Sequence, residues 1–198
     1  MLILHLLVLP VAARAGGGPL GIDHRWNQDN SGIWKRSNQM FLQNGSIVAN
    51  IGLALWEGAD SRLGRTAWQS IDSMALAGVA VNVAKPVFGR RRPTETDSPD
   101  EWGKGGRSFP SGEVAAISSI VTPYVLEYRH DYPAVYALEL LPAYDAIARM
   151  KVRAHWQTDV LAGFAVGTAS GYYAQSRDSP FILGLLPKRL TVGFKKQF

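Results

Sequence analysis

Residues 149–159 read Arg-Met-Lys-Val-Arg-Ala-His-Trp-Gln-Thr-Asp, a stretch that places an arginine, a histidine and an aspartate close together in sequence. On a helix, His155 and Asp159 would share one face because they are four residues apart. A carboxylate placed there holds one imidazole nitrogen and leaves the other free as a base or nucleophile. Arg149 adds a planar cation suited to an oxyanion. Taken alone, the stretch also fits a surface ion pair beside an unrelated arginine, so other parts of the chain must decide.

Two further blocks have the same anion-binding character. Residues 85–93 (KPVFGRRRP) place Lys85 seven residues before Arg92, which proline follows. Residues 108–113 (SFPSGE) read as a turn that opens a helix. Ser111 can cap that helix, and the amide groups of the first turn can then face an anion. In this order and register the three blocks resemble the type 2 phosphatidic acid phosphatase superfamily, which also contains the vanadium haloperoxidases.

The resemblance covers residues 45–175 and assigns roles to the three blocks. The family pattern is lysine, six residues and Arg-Pro; then Pro-Ser-Gly-His; then Ser-Arg, five residues, histidine, three residues and aspartate. It implies that His155 attacks phosphorus and that Asp159 holds its tautomer. It implies a phosphate cradle made of Lys85, Arg92, Ser111, Gly112 and Arg149. Ala148 replaces the family serine, which loosens the surroundings of Arg149 without abolishing binding.

Glu113 is the second departure, since it stands where the family histidine protonates the leaving alkoxide. Such general acid catalysis contributes on the order of 10²–10⁴ in rate. A carboxyl group can replace it only when protonated, and neighbouring cations lower its pKa while burial raises it. Three outcomes remain open. Glu113 acts as a catalytic acid with a raised pKa, or it points away and good leaving groups depart unaided, or the chain only binds anions.

Composition restricts the class of protein. The 198 residues suffice for one hydrophobic core and one domain. Hydrophobic and charged contents of 46% and 19% are typical of a globular protein. The net charge of +5 suits an anionic substrate or an acidic lipid surface, and no nucleic-acid-binding array is present. The absence of cysteine excludes disulfides, thiolate nucleophiles and cysteine-ligated metals.

The chain divides into four parts. Residues 1–15 (MLILHLLVLPVAARA) predict a secretory signal peptide, and we therefore expect an exported, periplasmic protein. One feature departs from this pattern, since no basic residue precedes the apolar run. Residues 16–44 read as an irregular arm with at most a short helix at 32–43, and Asp23 and His24 as surface residues. Residues 45–178 form the phosphatase-like helical domain. Residues 179–198 form a tail with a short strand.

The fold predicted for residues 45–178 is an all-α helical bundle of about five core helices. The helices are predicted at 46–57, 65–84, 111–128, 133–148 and 159–175, with a bend at Pro142. Asp72 interrupts the most apolar helix, so none has the ~18 charge-free residues of a comfortable membrane span. The domain is therefore expected to be water-soluble and able to rest on a membrane surface. Residues 93–109 are predicted to be a mobile loop that serves as a lid or an entry rim, or else a plain solvated linker. The remaining basic residues are read as surface charges: Arg90, Arg91, Lys151 and Arg153.

The leading functional hypothesis is a metal-independent acid phosphatase with a phosphohistidine intermediate. Its partner is a phosphate-bearing substrate, a phosphomonoester or diphosphate that is lipid-linked. Three fixed cations would replace a metal ion around the phosphoryl oxygens, so no cofactor is expected. The alternative is a catalytically impaired phosphate-binding protein on the same fold. A vanadate-dependent haloperoxidase ranks third, and vanadate would otherwise serve only as a phosphate mimic.

Overall fold

The computed structural model describes residues 16–177 and Pro180. Their α-helices are α1 (Arg36–Glu57), α2 (Arg62–Phe88), α3 (Gly112–Tyr128), α4 (Leu140–Lys151) and α5 (Gln157–Gln175). Two short 3₁₀ segments, Gly32–Trp34 and Pro133–Glu139, precede α1 and α4. The predicted all-α bundle of about five core helices is confirmed. The predicted signal peptide and tail strand lie outside the described residues.

The start of α1 differs from the prediction. The helix begins at Arg36 rather than at Ser46, so most of the short helix predicted at 32–43 and the helix predicted from Ser46 form one continuous helix. Gly45 lies inside it, where a glycine costs about 1 kcal/mol relative to alanine. Burial of Gln39 and Ala54 shows that α1 packs on the bundle along its length, and this packing outweighs the local cost. The early start brings the first turn of α1 to the site described below.

Small residues hold α5 close against α3. Gly163, Gly167 and Gly171 recur every four residues along α5 and are all buried. A Cβ atom added at Gly163 would lie 2.4 Å from the carbonyl oxygen of Ser111. One added at Gly167 would lie 2.4 Å from the carbonyl oxygen of Ala115. The two backbones therefore approach more closely than any larger residue would allow.

Replacing Gly167 by alanine is expected to destabilise the fold by about 1–3 kcal/mol, because the new methyl group would overlap the backbone of α3. The matched control is Gly52→Ala in α1, where an added Cβ meets nothing within 4 Å. That control should stabilise the fold by up to about 1 kcal/mol through helix propensity. Urea denaturation followed by circular dichroism measures both, and similar effects of the two substitutions would contradict the close packing.

Two helix boundaries follow from the positions of prolines and glycines. Residues 133–148, predicted as one bent helix, form a 3₁₀ segment followed by α4. Pro142 is the third residue of α4, where its missing N–H leaves no helical hydrogen bond unmade, so no bend is needed. α2 continues past Pro86 and ends at Gly89, whose positive φ of 53° suits a glycine at this cap.

The loop at 89–111 is packed against the end of α2. The amide of Gly103 donates to the carbonyl oxygen of Phe88 at 2.9 Å. The rings of Phe88, Trp102 and Phe109 form a cluster with centroid separations of 4.8–6.0 Å. These contacts pack the loop against the protein, unlike a plain solvated linker. Arg92 of this loop lines the cavity described below, so the predicted role as a lid or entry rim stays a prediction.

Among residues 16–177, α2 is the one helix long and apolar enough to cross a membrane by length and composition. This criterion tolerates charged residues. The longest charge-free run in α2 is residues 73–84, between Asp72 and Lys85, so the prediction that no helix has ~18 charge-free residues holds for α2. Only 28% of its most apolar window is buried. The core helix of a water-soluble protein can meet the same criterion.

Candidate active site

Four helix ends meet around one cavity of about 350 Å³. They are the last turns of α2 and α4, the first turn of α3, and the connection that leads into α5. Exposed amide groups and the helix dipole at an N-terminus such as that of α3 favour an anion there. Six of the eight residues predicted from sequence line this cavity: Lys85, Arg92, Gly112, Glu113, Arg149 and His155. Ser111 and Asp159 are buried behind its wall.

Lys85 supplies the first cation of the cavity from the last turn of α2. Its Nζ atom donates to the carbonyl oxygens of Arg107 and Pro110 at 2.8 and 2.9 Å. These two bonds fix the ammonium group and leave its third donor for a ligand. Burial, followed by the charge of Arg92, lowers the pKa of Lys85 to about 8. Lys85 is therefore charged at neutral pH but loses its proton far earlier than an exposed lysine.

Arg149 supplies a second cation from the last turn of α4. Its Nη1 atom donates to Oε1 of Gln39 at 3.0 Å, and its Nε atom lies 3.1 Å from Oε2 of Glu113. The second contact is an ion pair without hydrogen-bond geometry. Burial lowers the pKa of Arg149 to about 10, so the guanidinium keeps its charge at neutral pH.

His155 lies in the connection between α4 and α5, not on one helix with Asp159 as the spacing suggested. Arg153, with a φ of 56°, turns the chain there, and α5 begins only at Gln157. The two side chains still face each other, with His155 Nδ1 3.6 Å from Asp159 Oδ2. This distance is too long for a hydrogen bond. Burial lowers the pKa of His155 to about 4, so the imidazole is neutral at neutral pH.

Arg90 is fully buried, in contrast to the predicted surface position. Its Nη1 atom donates to Asp159 Oδ1 and its Nη2 atom to Asp23 Oδ2, each at 2.6 Å. Asp23 was also expected at the surface and is equally buried. The arginine therefore connects the N-terminal arm to the carboxylate behind His155.

Asp159 receives several donors besides Arg90. The amide of Trp156 donates to Oδ2 at 2.9 Å, and the hydroxyl of Ser108 donates to the same oxygen. Burial raises the pKa of Asp159, but contacts with His155, Arg90 and Ser108 outweigh it, and the net shift is downward. Asp159 is thus an ionised, immobilised carboxylate that can orient His155.

The other predicted surface residues have less prominent roles. Arg91 is exposed and lies 3.4 Å from Glu101, and His24 is exposed as expected. Arg153 is half-buried and donates from Nε to the carbonyl oxygen of Trp26 at 2.8 Å. Lys151 is half-buried beside the rings of two tryptophans. None of these side chains lines the cavity.

Glu113 faces the cavity and is held there by two arginines. Arg36 of α1 donates from Nη1 to Oε2 at 2.6 Å and from Nη2 to Oε1 at 2.5 Å. Arg149 lies against Oε2 from the other side. Burial raises the pKa of Glu113, but the hydrogen bonds from Arg36 and the charges of both arginines outweigh it, and the pKa is lowered. Two of the outcomes considered for Glu113, a raised pKa and an outward orientation, are not what the structure shows.

Ser111 and Gly112 form the start of α3. The amide of Ser111 donates to the carbonyl oxygen of Asp159 at 2.9 Å, which joins α3 to α5. The Ser111 hydroxyl is buried and makes no capping hydrogen bond, in contrast to the predicted cap. A Cβ at Gly112 would lie 3.4 Å from Val81 Cγ1, so packing within the protein does not exclude it. The role of Gly112 in the phosphate cradle therefore stays a prediction.

Six side chains behind the cavity were not predicted to belong to the site: Asp23, Arg36, Gln39, Arg90, Ser108 and Asp145. Asp145 could have been noticed, because it precedes Arg149 by four residues on one helix. It is fully buried, and neither of its side-chain oxygens accepts a hydrogen bond from a described residue. Burial, followed by the charge of Glu113, raises its pKa to about 7. The other five contact partners far away in the chain, and no local pattern marks them.

One family and two known proteins resemble this chain. The PAP2 superfamily model matches residues 66–178. The lipid A 1-phosphatase of Porphyromonas gingivalis is 37% identical over 100 residues, which are 50% of this chain. This chain spans only about one fifth (20%) of that relative's length. The crystal structure of Aquifex aeolicus LpxE matches with a TM-score of 0.50 at 20% identity, over 72% of this chain and 87% of that one, and shows a shared fold.

Proposed function

Because this chain belongs to the PAP2 superfamily, we propose that it is a phosphatase that hydrolyses a lipid-linked phosphomonoester or diphosphate through a phosphohistidine intermediate. One observation carries the proposal. Lys85, Arg92, Arg149 and His155 are separated by up to 70 residues in sequence, yet they line one cavity. Their convergence gives a tetrahedral oxyanion both a cationic cradle and a nucleophile.

The cradle would act mainly by charge. Phosphoryl transfer spreads negative charge over three non-bridging oxygens, and fixed cations stabilise that charge without reorganisation. Arg149 is buried and Lys85 is half-buried, and both are anchored by hydrogen bonds, so they are already placed before a substrate arrives. Arg92 and the first amide groups of α3 would complete the contacts. In this proposal three side-chain cations serve where other phosphatases use a metal ion, and vanadate would bind only as a phosphate mimic.

His155 would be the nucleophile. Its Nδ1 atom faces the carboxylate of Asp159, which leaves Nε2 for attack on phosphorus. The imidazole is neutral above about pH 4, as a nucleophile must be. The 3.6 Å between Nδ1 and Asp159 Oδ2 is expected to shorten as positive charge develops on the ring, because the ion pair then strengthens.

The lipid-linked substrate is proposed from one relative and from the surface of α2. The relative from Porphyromonas gingivalis is named lipid A 1-phosphatase. Val79, Val83 and Val87 recur every four residues on α2 and are 60–71% exposed. This apolar stripe borders the cavity-lining residues Asn82 and Lys85 of the same helix. We propose that the N-terminal segment directs the protein to the periplasm. There, the stripe would contact the lipid surface of a membrane.

The pH dependence of kcat/KM is expected to be bell-shaped. Activity should rise above about pH 4, where His155 becomes neutral, and fall above about pH 8, where Lys85 loses its proton. The measurement uses an aryl phosphate across this range, corrected for the substrate's own second ionisation near pH ~6. Lys85→Arg is the control, because arginine stays charged and should move the alkaline limb to higher pH. An alkaline limb that is unchanged in this variant would contradict the role of Lys85.

A second function, phosphate binding without turnover, has one observation in its favour. The carboxylate of Glu113 lies among the cations that would bind phosphate, and Arg149 contacts it. Calorimetry with phosphate and with vanadate, run beside a phosphatase screen from pH ~4 to ~8, separates the two functions. Binding without turnover of any phosphate ester or diphosphate would establish the anion-binding protein.

A further inference from the structure

The leaving-group side of the cavity holds an ionised carboxylate. The family resemblance places the residue that protonates the leaving group at Glu113. Both oxygens of Glu113 accept hydrogen bonds from Arg36, at 2.5 and 2.6 Å, and one of them also faces Arg149. Protonation would break one of two charge-assisted hydrogen bonds, so the bidentate contact holds the side chain in its charged form.

We infer that this site transfers phosphate only from leaving groups that depart as stable anions, such as diphosphates, anomeric sugar phosphates and aryl phosphates, and that it discriminates against simple alkyl phosphates. This inference rests on the proposed phosphatase function and narrows its substrate class. The specificity arises at position 113, where Glu113, held by Arg36, stands in place of a proton donor.

The other described residues that line the cavity do not replace the missing acid. Gln43 and Asn82 carry only amide protons, and the two arginines of the cavity remain charged. Lys85 has two of its three N–H groups on carbonyl oxygens, and the third is directed to the phosphate in the proposed cradle. Asp145, the buried acid nearby, does not line the cavity.

Arg36 explains how the cradle tolerates a carboxylate. Lys85, Arg92 and Arg149 contribute three positive charges, and Glu113 subtracts one. Arg36 is 37% exposed and pairs with Glu113 at 2.5 Å, so it restores the lost charge and leaves the cradle at three. Phosphate binding therefore survives the replacement of histidine by glutamate, whereas proton donation does not.

The chemical step balances without an acid. The lone pair on Nε2 of His155 forms the N–P bond while the P–O bond to the leaving group breaks, and that bond's electron pair departs with the oxygen. The resulting anion takes a proton from water. A second water then attacks phosphorus, the N–P bond breaks, and inorganic phosphate and neutral His155 result. With no proton transfer in the first step, its barrier depends on the stability of the leaving anion.

The test is a series of substituted phenyl phosphates of similar size, from nitrophenyl to methylphenyl, together with an alkyl phosphate. The logarithm of kcat/KM is plotted against the leaving-group pKa at about pH 6, between the pKa values of about 4 and 8 for His155 and Lys85. The wild-type slope should be steeply negative. Glu113→Gln removes any acid function while keeping the shape, and it should leave that slope unchanged.

Restoring an acid should make the slope of log kcat/KM against the leaving-group pKa less negative. Glu113→His combined with Arg36→Gln places an imidazole at the family position without an unpaired guanidinium beside it. Its kcat/KM for the alkyl phosphate should rise on the order of 10²-fold or more relative to wild type. A shallow wild-type slope that becomes steep in Glu113→Gln would overturn the inference, because it would show Glu113 donating a proton. If wild type turns over no member of the series and neither does the restored variant, the proposed function itself fails.

Discussion

The His155→Ala variant is expected to lose phosphatase turnover by a factor on the order of 10⁴–10⁶, the range seen when central catalytic groups are removed. The reason is structural as well as chemical. His155 is the cavity-lining imidazole, it is neutral above about pH 4, and the carboxylate of Asp159 lies behind its Nδ1 atom. No other described histidine lines the cavity. The cationic cradle remains in the variant, so phosphate binding measured by calorimetry should persist.

The control for this variant is His130→Ala. His130 is an exposed residue just beyond the C-terminal end of α3 and does not line the cavity. Its removal should leave turnover within a factor of about two, as for surface substitutions that change little else. Circular dichroism of both variants checks that the fold is retained. Undiminished turnover in a folded His155→Ala protein would remove the nucleophile from the mechanism.

The Arg90→Met variant is expected to lose about 3–5 kcal/mol of folding free energy, the usual cost of removing one partner from a buried ion pair. Arg90 forms ion pairs with both Asp23 and Asp159, and all three side chains are essentially inaccessible to solvent. Without the guanidinium, two buried carboxylates lose their charge partner. The loss is a large fraction of the 5–15 kcal/mol that typically stabilises a domain.

The matched control is the next residue in the chain. Arg91 is exposed and only loosely paired with Glu101 at 3.4 Å, so Arg91→Met should change stability by less than about 0.5 kcal/mol. Urea denaturation measures both variants. Should Arg90→Met fail to accumulate, Arg90→Lys keeps the charge but not the two-pronged contact and should be intermediate in stability. Equal stability of the Arg90 and Arg91 variants would show that the buried pair contributes nothing.

The predictions for His155 and Arg90 are linked, because both side chains face Asp159. One of its carboxylate oxygens accepts from Arg90, and the other faces His155. A variant at Arg90 that still folds therefore also changes the support of the nucleophile. Its kcat for an aryl phosphate should fall more than its affinity for inorganic phosphate, because the cradle residues Lys85 and Arg149 are anchored elsewhere.

The helical class and most of the cavity were predictable from the chain. Apolar periodicity and turn residues predicted five helices, and the family resemblance carried by three short blocks implied six residues that the structure brings to one cavity. Such predictions succeed where the signal is local, because a helix is recognised within a window of a few turns. The start of α1 was misplaced by ten residues because the packing that carries the helix through Gly45 leaves no local mark.

By itself, the sequence determined which chemical groups are present: an imidazole, several cations, and a glutamate where the family has a histidine. Only the tertiary structure decided how those groups are charged and paired. Arg36 is hydrogen-bonded to Glu113, which is 77 residues away in sequence, and Arg90 to Asp23, which is 67 residues away. The ionisation of a side chain depends on its burial and on charges within a few ångströms, and folding sets both by bringing together residues that are far apart in the chain.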